Sequence, residues 1–168
     1  MLASSLPDSL DALLDGALRP GGLRALFQPI VRLEDRQVVA HEGLMRHAHA
    51  DMSPLRLLDR ARTAGRLGEL ETHAARTLAQ AFDFDRGGRL LVNLSAHAIL
   101  QGALRPQQVI ESLQSAGRDL SRFVIEITER DIVEDVGRLA DALGYLRAAG
   151  IRIALDDFGN GHSNFELW

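Results

Sequence analysis

Three short apolar runs set the limits on how this chain folds: Leu90-Leu91-Val92-Asn93-Leu94, Phe123-Val124-Ile125-Glu126-Ile127-Thr128-Glu129 and Ile151-Arg152-Ile153-Ala154-Leu155-Asp156-Asp157. Each has the length and composition of a strand, and helix-length segments separate them. Strands that alternate with such helices need crossover connections, and these build a parallel sheet or barrel. Each run also carries a polar or acidic residue at or near its C-terminal end: Asn93, Glu126, and Asp156 with Asp157. In a parallel barrel the C-terminal ends of the strands open on one face, so side chains far apart in sequence converge there. All are oxygen donors, the set that suits magnesium, manganese or calcium rather than zinc. Taken alone, Asp156-Asp157-Phe158-Gly159-Asn160-Gly161 is either an ordinary Asp/Gly surface turn or an acidic pair held by a cation, because adjacent carboxylates repel each other. Glu42, near the end of an earlier strand, adds a fourth converging position, and the joint pattern points to a divalent-cation site.

The rest of the chain supports one domain behind a lead-in helix. Leu10, Leu13, Leu14 and Leu18 recur at helical spacing over residues 8–18, and Pro20-Gly21-Gly22 ends the pattern. Residues 1–22 are therefore a lead-in segment and 23–168 the domain. Residues 26–33 read as a strand in which Pro29, lacking a donor N–H, favours a sheet edge or an irregularity. Glu34-Asp35-Arg36 turns the chain into a second strand at residues 38–44, and the two form an antiparallel hairpin. Helices follow at 55–65, with Pro54 at the first turn, and at 69–82, with Leu70, Ala74, Leu78, Ala81 and Phe82 on one face. A helix from Pro106 turns Val109, Ile110 and Leu113 inward and ends near Gly117, and another spans 131–148 with Ile132, Val136, Leu139, Leu143 and Leu146 as its stripe.

Composition narrows the chemistry. Of 168 residues, 46% are hydrophobic and none is cysteine, so a proper core is available while disulfides and thiolate sites are excluded. The net charge of −4 argues against a nucleic-acid polymer as partner, no run is long enough for a membrane helix, and the simplest location is the cytoplasm. His47-Ala48-His49 could bind zinc but has no further His or Cys beside it, so a solvated loop is expected. Asp157-Phe158-Gly159 matches a kinase tripeptide, yet a kinase needs a glycine-rich loop and a lysine, and all 19 basic residues here are arginine.

Five separated motifs resemble the EAL domain, the phosphodiesterase of bacterial cyclic di-GMP signalling. They are Phe27-Gln28-Pro29-Ile30-Val31, Glu42-Gly43-Leu44-Met45-Arg46 in the place of the name-giving Glu-Ala-Leu-Leu-Arg, Val92-Asn93-Leu94-Ser95, Ile125-Glu126-Ile127-Thr128-Glu129 and Leu155-Asp156-Asp157-Phe158-Gly159-Asn160-Gly161. The resemblance implies an α/β fold, a TIM-type barrel with an antiparallel first strand. It implies a two-metal Mg²⁺ or Mn²⁺ site held by Glu42, Asn93, Glu126 and Asp156, with Asp157 on the second ion. Glu42 and Asp157 would be catalytic, Gln28 and Arg46 would contact the guanine and phosphate of cyclic di-GMP, and the product would be linear pGpG.

Departures from the family pattern are Gly43 for alanine, and Asn160 and His162 for threonine and tyrosine in the glycine loop that couples dimer contacts to metal occupancy. Against a barrel of about eight strands, the sequence supplies about five, and it contains neither the family lysine nor the later glutamate. We therefore expect an incomplete barrel that ends before the lysine strand and whose unpaired edges favour a homodimer or strand-edge association. Two other functions fit the residues: a catalytically incomplete module that binds nucleotide or protein, and a metal-dependent barrel enzyme acting on another phosphate ester.

Overall fold

A computed structural model describes residues 10–48, 52–100, 102, 104–128 and 135–156. Its frame is a five-stranded sheet in sequential order, β1 (Leu23–Val31), β2 (Val38–His47), β3 (Arg89–Leu94), β4 (Phe123–Thr128) and β5 (Arg152–Asp156). β1 runs antiparallel to β2, and every later pairing is parallel. Among the described residues the sheet is open, with β1 and β5 at its edges. The irregularity that Pro29 favours is present, because the β1–β2 register shifts between Ile30 and Val31.

Helices lie in the crossovers. α1 (Leu10–Leu18) precedes β1, and α2 (Pro54–Thr63), α3 (Leu67–Ala81) and the short α4 (Phe84–Gly87) join β2 to β3. α5 (Ala96–Leu100), α6 (Pro106–Gln114) and a 3₁₀ turn at Leu120–Arg122 join β3 to β4, and α7 (Val136–Ala148) leads to β5. Local chemistry starts them. The Ser53 hydroxyl accepts the Arg56 N–H at 3.3 Å with Pro54 in the first turn of α2, and Asp135 accepts the Arg138 N–H at 3.0 Å to open α7. Gly88 lets β3 start close beside β2: its φ is +73°, and an added Cβ would lie 2.5 Å from the Val39 carbonyl oxygen.

Alternation along the strands sorts their side chains. Leu90, Val92 and Leu94 of β3 and Phe123, Ile125 and Ile127 of β4 are buried against the helices, which answer with Leu70, Leu78, Leu113, Leu139 and Leu146. A row of rings, Phe27, Phe82, Phe84 and Phe123, links β1 to β4 on this side with centroids 4.8–5.1 Å apart. Arg122 closes that row, donating to the Phe84 carbonyl at 2.6 Å and the Gly88 carbonyl at 2.7 Å beside the Phe84 ring.

Three expectations change. Ala81 is exposed although Leu70, Ala74, Leu78 and Phe82 are buried, since α3 ends there and the chain turns away. Val136 is 37% exposed at the start of α7, outside the buried stripe of Leu139, Leu143 and Leu146, and Ile132 lies outside the described residues. His47 is the buried last residue of β2 rather than part of a solvated loop. Its Nε2 lies 3.1 Å from the Leu13 carbonyl oxygen, which ties α1 to the strand end, and His49 lies outside the described residues.

Candidate metal and nucleotide site

The sheet face turned away from the helices gathers the residues that the sequence singles out. Strand alternation puts Gln28, Glu42, Asn93, Glu126 and Ala154 on it, because each is the neighbour of a residue buried on the helix side or pairs with one that is. Gln28 stands directly across from Glu42 in the β1–β2 register. Asn93 pairs in register with Glu126, and Glu126 with Ala154. The Asn93 amide donates from Nδ2 to Glu42 Oε1 at 2.8 Å, bridging residues 51 apart in sequence. Glu42 and Glu126 are half-buried, while Gln28 and Asn93 are exposed.

Asp156 is the last residue of β5, paired in register with Thr128 two positions beyond Ala154, and Asp157 lies outside the described residues. The described residues thus unite Gln28, Glu42, Asn93 and Glu126 across four neighbouring strands. Among the described residues no group of three or more His, Cys, Asp or Glu side chains is close enough to hold an ion. The donor set nevertheless fits a hard divalent cation, since it offers carboxylate and amide oxygens on adjacent strands with Glu42 and Asn93 already in contact. Asn93 must turn its oxygen rather than its Nδ2 toward an ion, and Glu42 Oε1 is the group that would exchange an N–H donor for the cation.

Beside this pair a cavity of about 390 Å³ opens at the C-terminal ends of β2 and β3, bounded on its far side by α2 and α3. Gly43, Arg46, Leu58, Glu71, Asn93 and Ser95 are among its walls, so Arg46 and Asn93 face one space. Arg46 is half-buried, and its Nη1 donates to the Met45 carbonyl at 2.8 Å. Gly43 helps shape the wall: a Cβ there would come within 3.1 Å of the Leu78 methyls and 3.2 Å of Leu90, so larger neighbours fill the space an alanine would use. Sequence reasoning missed Glu71, and Ser95 entered it only as the last residue of the Val92-Asn93-Leu94-Ser95 motif. Both Glu71 oxygens accept the Ser95 N–H, at 3.1 and 3.2 Å, in a buried position. The signal was present, since Glu71 falls at the helical spacing of Leu67, Ala74 and Leu78, where an apolar residue is expected.

Known proteins resemble this chain in sequence and in fold. A Caulobacter vibrioides signaling protein is 36% identical over 142 residues, covering 82% of this chain and 17% of its own length. The cyclic di-GMP phosphodiesterase NbdA of Pseudomonas aeruginosa is 28% identical over 88% of this chain and 20% of its own length. This chain therefore spans about a fifth of the length of these two relatives. The structure of Klebsiella pneumoniae BlrP1 in complex with manganese and cyclic di-GMP superposes with a TM-score of 0.73 at 26% identity, over 89% of this chain and 38% of that one. The family model for the EAL domain matches residues 11–168, nearly the whole chain. With the antiparallel first strand, the parallel strands after it and the motif residues on one face, this match makes the chain a member of the EAL domain family.

Proposed function

We propose that this chain carries the metal- and nucleotide-holding part of a cyclic di-GMP phosphodiesterase, which hydrolyses one phosphodiester of cyclic di-GMP to give pGpG. The observation that carries the reading is the 2.8 Å contact of Asn93 with Glu42, with Glu126 next in register. It makes an oxygen-rich cluster toward the C-terminal ends of the strands, the end at which such barrels do their chemistry. The phosphodiesterase relative and the manganese and cyclic di-GMP bound to BlrP1 support the same reading.

Glu42, Asn93, Glu126 and Asp156 would hold one Mg²⁺ or Mn²⁺, and Asp157 would serve a second. When bound, such ions lower the pKa of a coordinated water and neutralise charge that develops on the phosphoryl oxygens. Glu42 and Asp157 would take the catalytic roles, as ligands of the ions at the reacting phosphate. Gln28, across from Glu42, would bind guanine. Arg46 in the cavity wall would bind a phosphate, for which its planar fork of donors is suited. A cavity of about 390 Å³ lies at the lower end of ligand-site volumes, so it would receive one base or sugar-phosphate of the dinucleotide and not the whole. Cyclic di-GMP is the small-molecule partner in this reading and the cytoplasm its location. The exposed edge of β1, with Leu26 and Val31 44% and 47% exposed, would pair with a second copy of the chain. A monodisperse monomer in light scattering would exclude that pairing.

The test is incubation of the chain with cyclic di-GMP and Mn²⁺ or Mg²⁺, followed by chromatography of the products. Appearance of pGpG that Glu42→Ala abolishes establishes the phosphodiesterase. A second reading is a module that binds the nucleotide without cleaving it. Saturable binding of cyclic di-GMP with no pGpG would establish that one instead.

A further inference from the structure

Glu71 interrupts the apolar stripe of α3 with a carboxylate that is only 6% exposed. A buried carboxylate is costly unless hydrogen bonds to its charged form compensate, and a leucine there would extend the stripe without that cost. Glu71 spans from the helix layer to the end of β3: both of its oxygens accept the Ser95 N–H, at 3.1 and 3.2 Å. Ser95 is the pivot at which the strand becomes α5, since its hydroxyl accepts the Ala98 N–H at 3.3 Å and its carbonyl the Ile99 N–H at 3.3 Å. Two residues upstream, Asn93 leaves on the opposite face toward Glu42. The strand end is thus gripped from behind by a charge-assisted hydrogen bond while its other face presents the amide.

We infer that Glu71 is a positioning residue: its buried carboxylate fixes the β3 terminus so that the Asn93 side chain stays against Glu42 in the geometry a cation requires. The cation half of this inference rests on the reading of Glu42 and Asn93 as metal ligands, and the positioning half does not. Groups that orient a ligand through a second layer of hydrogen bonds commonly change metal affinity by about 10–100-fold when removed.

The test uses ¹⁵N-labelled chain without metal, and then Mn²⁺ titration by calorimetry, on wild type, Glu71→Ala, Glu71→Gln and Asn93→Ala. In the metal-free chain, Glu71→Ala is expected to speed exchange of the Ser95 amide and to shift the Asn93 side-chain amide resonances. Its Mn²⁺ affinity should fall about 10–100-fold. Glu71→Gln keeps an oxygen acceptor and should recover most of that loss; it also decides the question if Glu71→Ala does not fold. Unchanged Asn93 resonances in a folded variant that has lost only thermal stability would overturn the positioning role. If Asn93→Ala leaves Mn²⁺ affinity at the wild-type value, the metal reading fails, and the Asn93 resonances of the Glu71 variants still decide the positioning role by themselves.

Discussion

The two faces of the sheet are built from the same strands to opposite standards. On the helix side, Leu90, Val92, Phe123, Ile125 and Ile127 are at most 1% exposed and meet apolar partners. On the other side, one residue along, Asn93 and Glu126 stand exposed and half-buried, and Glu42 takes its hydrogen bond from Asn93 across 51 residues of sequence. Burial of apolar surface favours the fold from one side, while on the other the polar groups Glu42 and Asn93 meet through a hydrogen bond. Stability and chemistry are therefore separable by strand parity, and substitutions on neighbouring residues should move different observables.

The largest effect belongs to the helix side. Phe123→Ala removes a ring with no exposure that packs on Phe84, and should destabilise the chain by about 3–5 kcal/mol in denaturant unfolding. Among the molecules that remain folded it should not change Mn²⁺ affinity. Asn93→Ala tests the other side. It should weaken Mn²⁺ binding about 10–100-fold, or about 1.4–2.7 kcal/mol, while unfolding shifts by less than about 1 kcal/mol. If Asn93→Ala unfolds the chain as severely as Phe123→Ala, the separation by parity is wrong.

A smaller effect should come from the outer layer, behind the apolar side. Half-buried His73 on α3 has a ring nitrogen without a hydrogen-bond partner among the described residues, and burial lowers its pKa below the ordinary 6.5. Arg76 lowers it further, whereas the Arg19 backbone and Glu69 oppose the shift. The folded chain therefore binds this proton less readily than the unfolded one. The stability His73 contributes is complete above about pH 6.5 and is lost as pH falls from there toward its folded pKa. Melting temperatures across that range should decline with acid in wild type and decline less in His73→Gln. The smallest effect is expected at Gly43→Ala, which restores the family residue. The new methyl presses on flexible Leu78 and Leu90 side chains, while the strand gains from losing a glycine, so the net change should stay within about 1 kcal/mol.

Parity also decides how much could be read from the sequence. β3 showed itself through its run of Leu and Val, and the irregularity of β1 through Pro29, because these depend on neighbours in the chain. Gln28, Glu42, Asn93 and Glu126 were legible as a set because each sits at a fixed place in its own strand, and the fold brings those places together. His47 was misread because its burial comes from α1, which returns over the end of β2 through the Leu13 carbonyl. Helices α4 and α5 and the 3₁₀ turn at Leu120–Arg122 were not seen, since three to five residues cannot show a helical period. Glu71 was passed over as one more residue of a helix, although a carboxylate at an apolar position signals a buried partner.

The most direct test of the open face as a cation site is calorimetric titration of Mn²⁺ into wild type and Glu42→Gln, with Mg²⁺ as competitor. Glutamine preserves the shape of the side chain and an acceptor for Asn93 while removing the charge. A site of the kind described predicts saturable Mn²⁺ binding in wild type and a loss of at least about 100-fold, about 2.7 kcal/mol, in the variant at unchanged thermal stability. Equal Mn²⁺ affinity in the two proteins would contradict it.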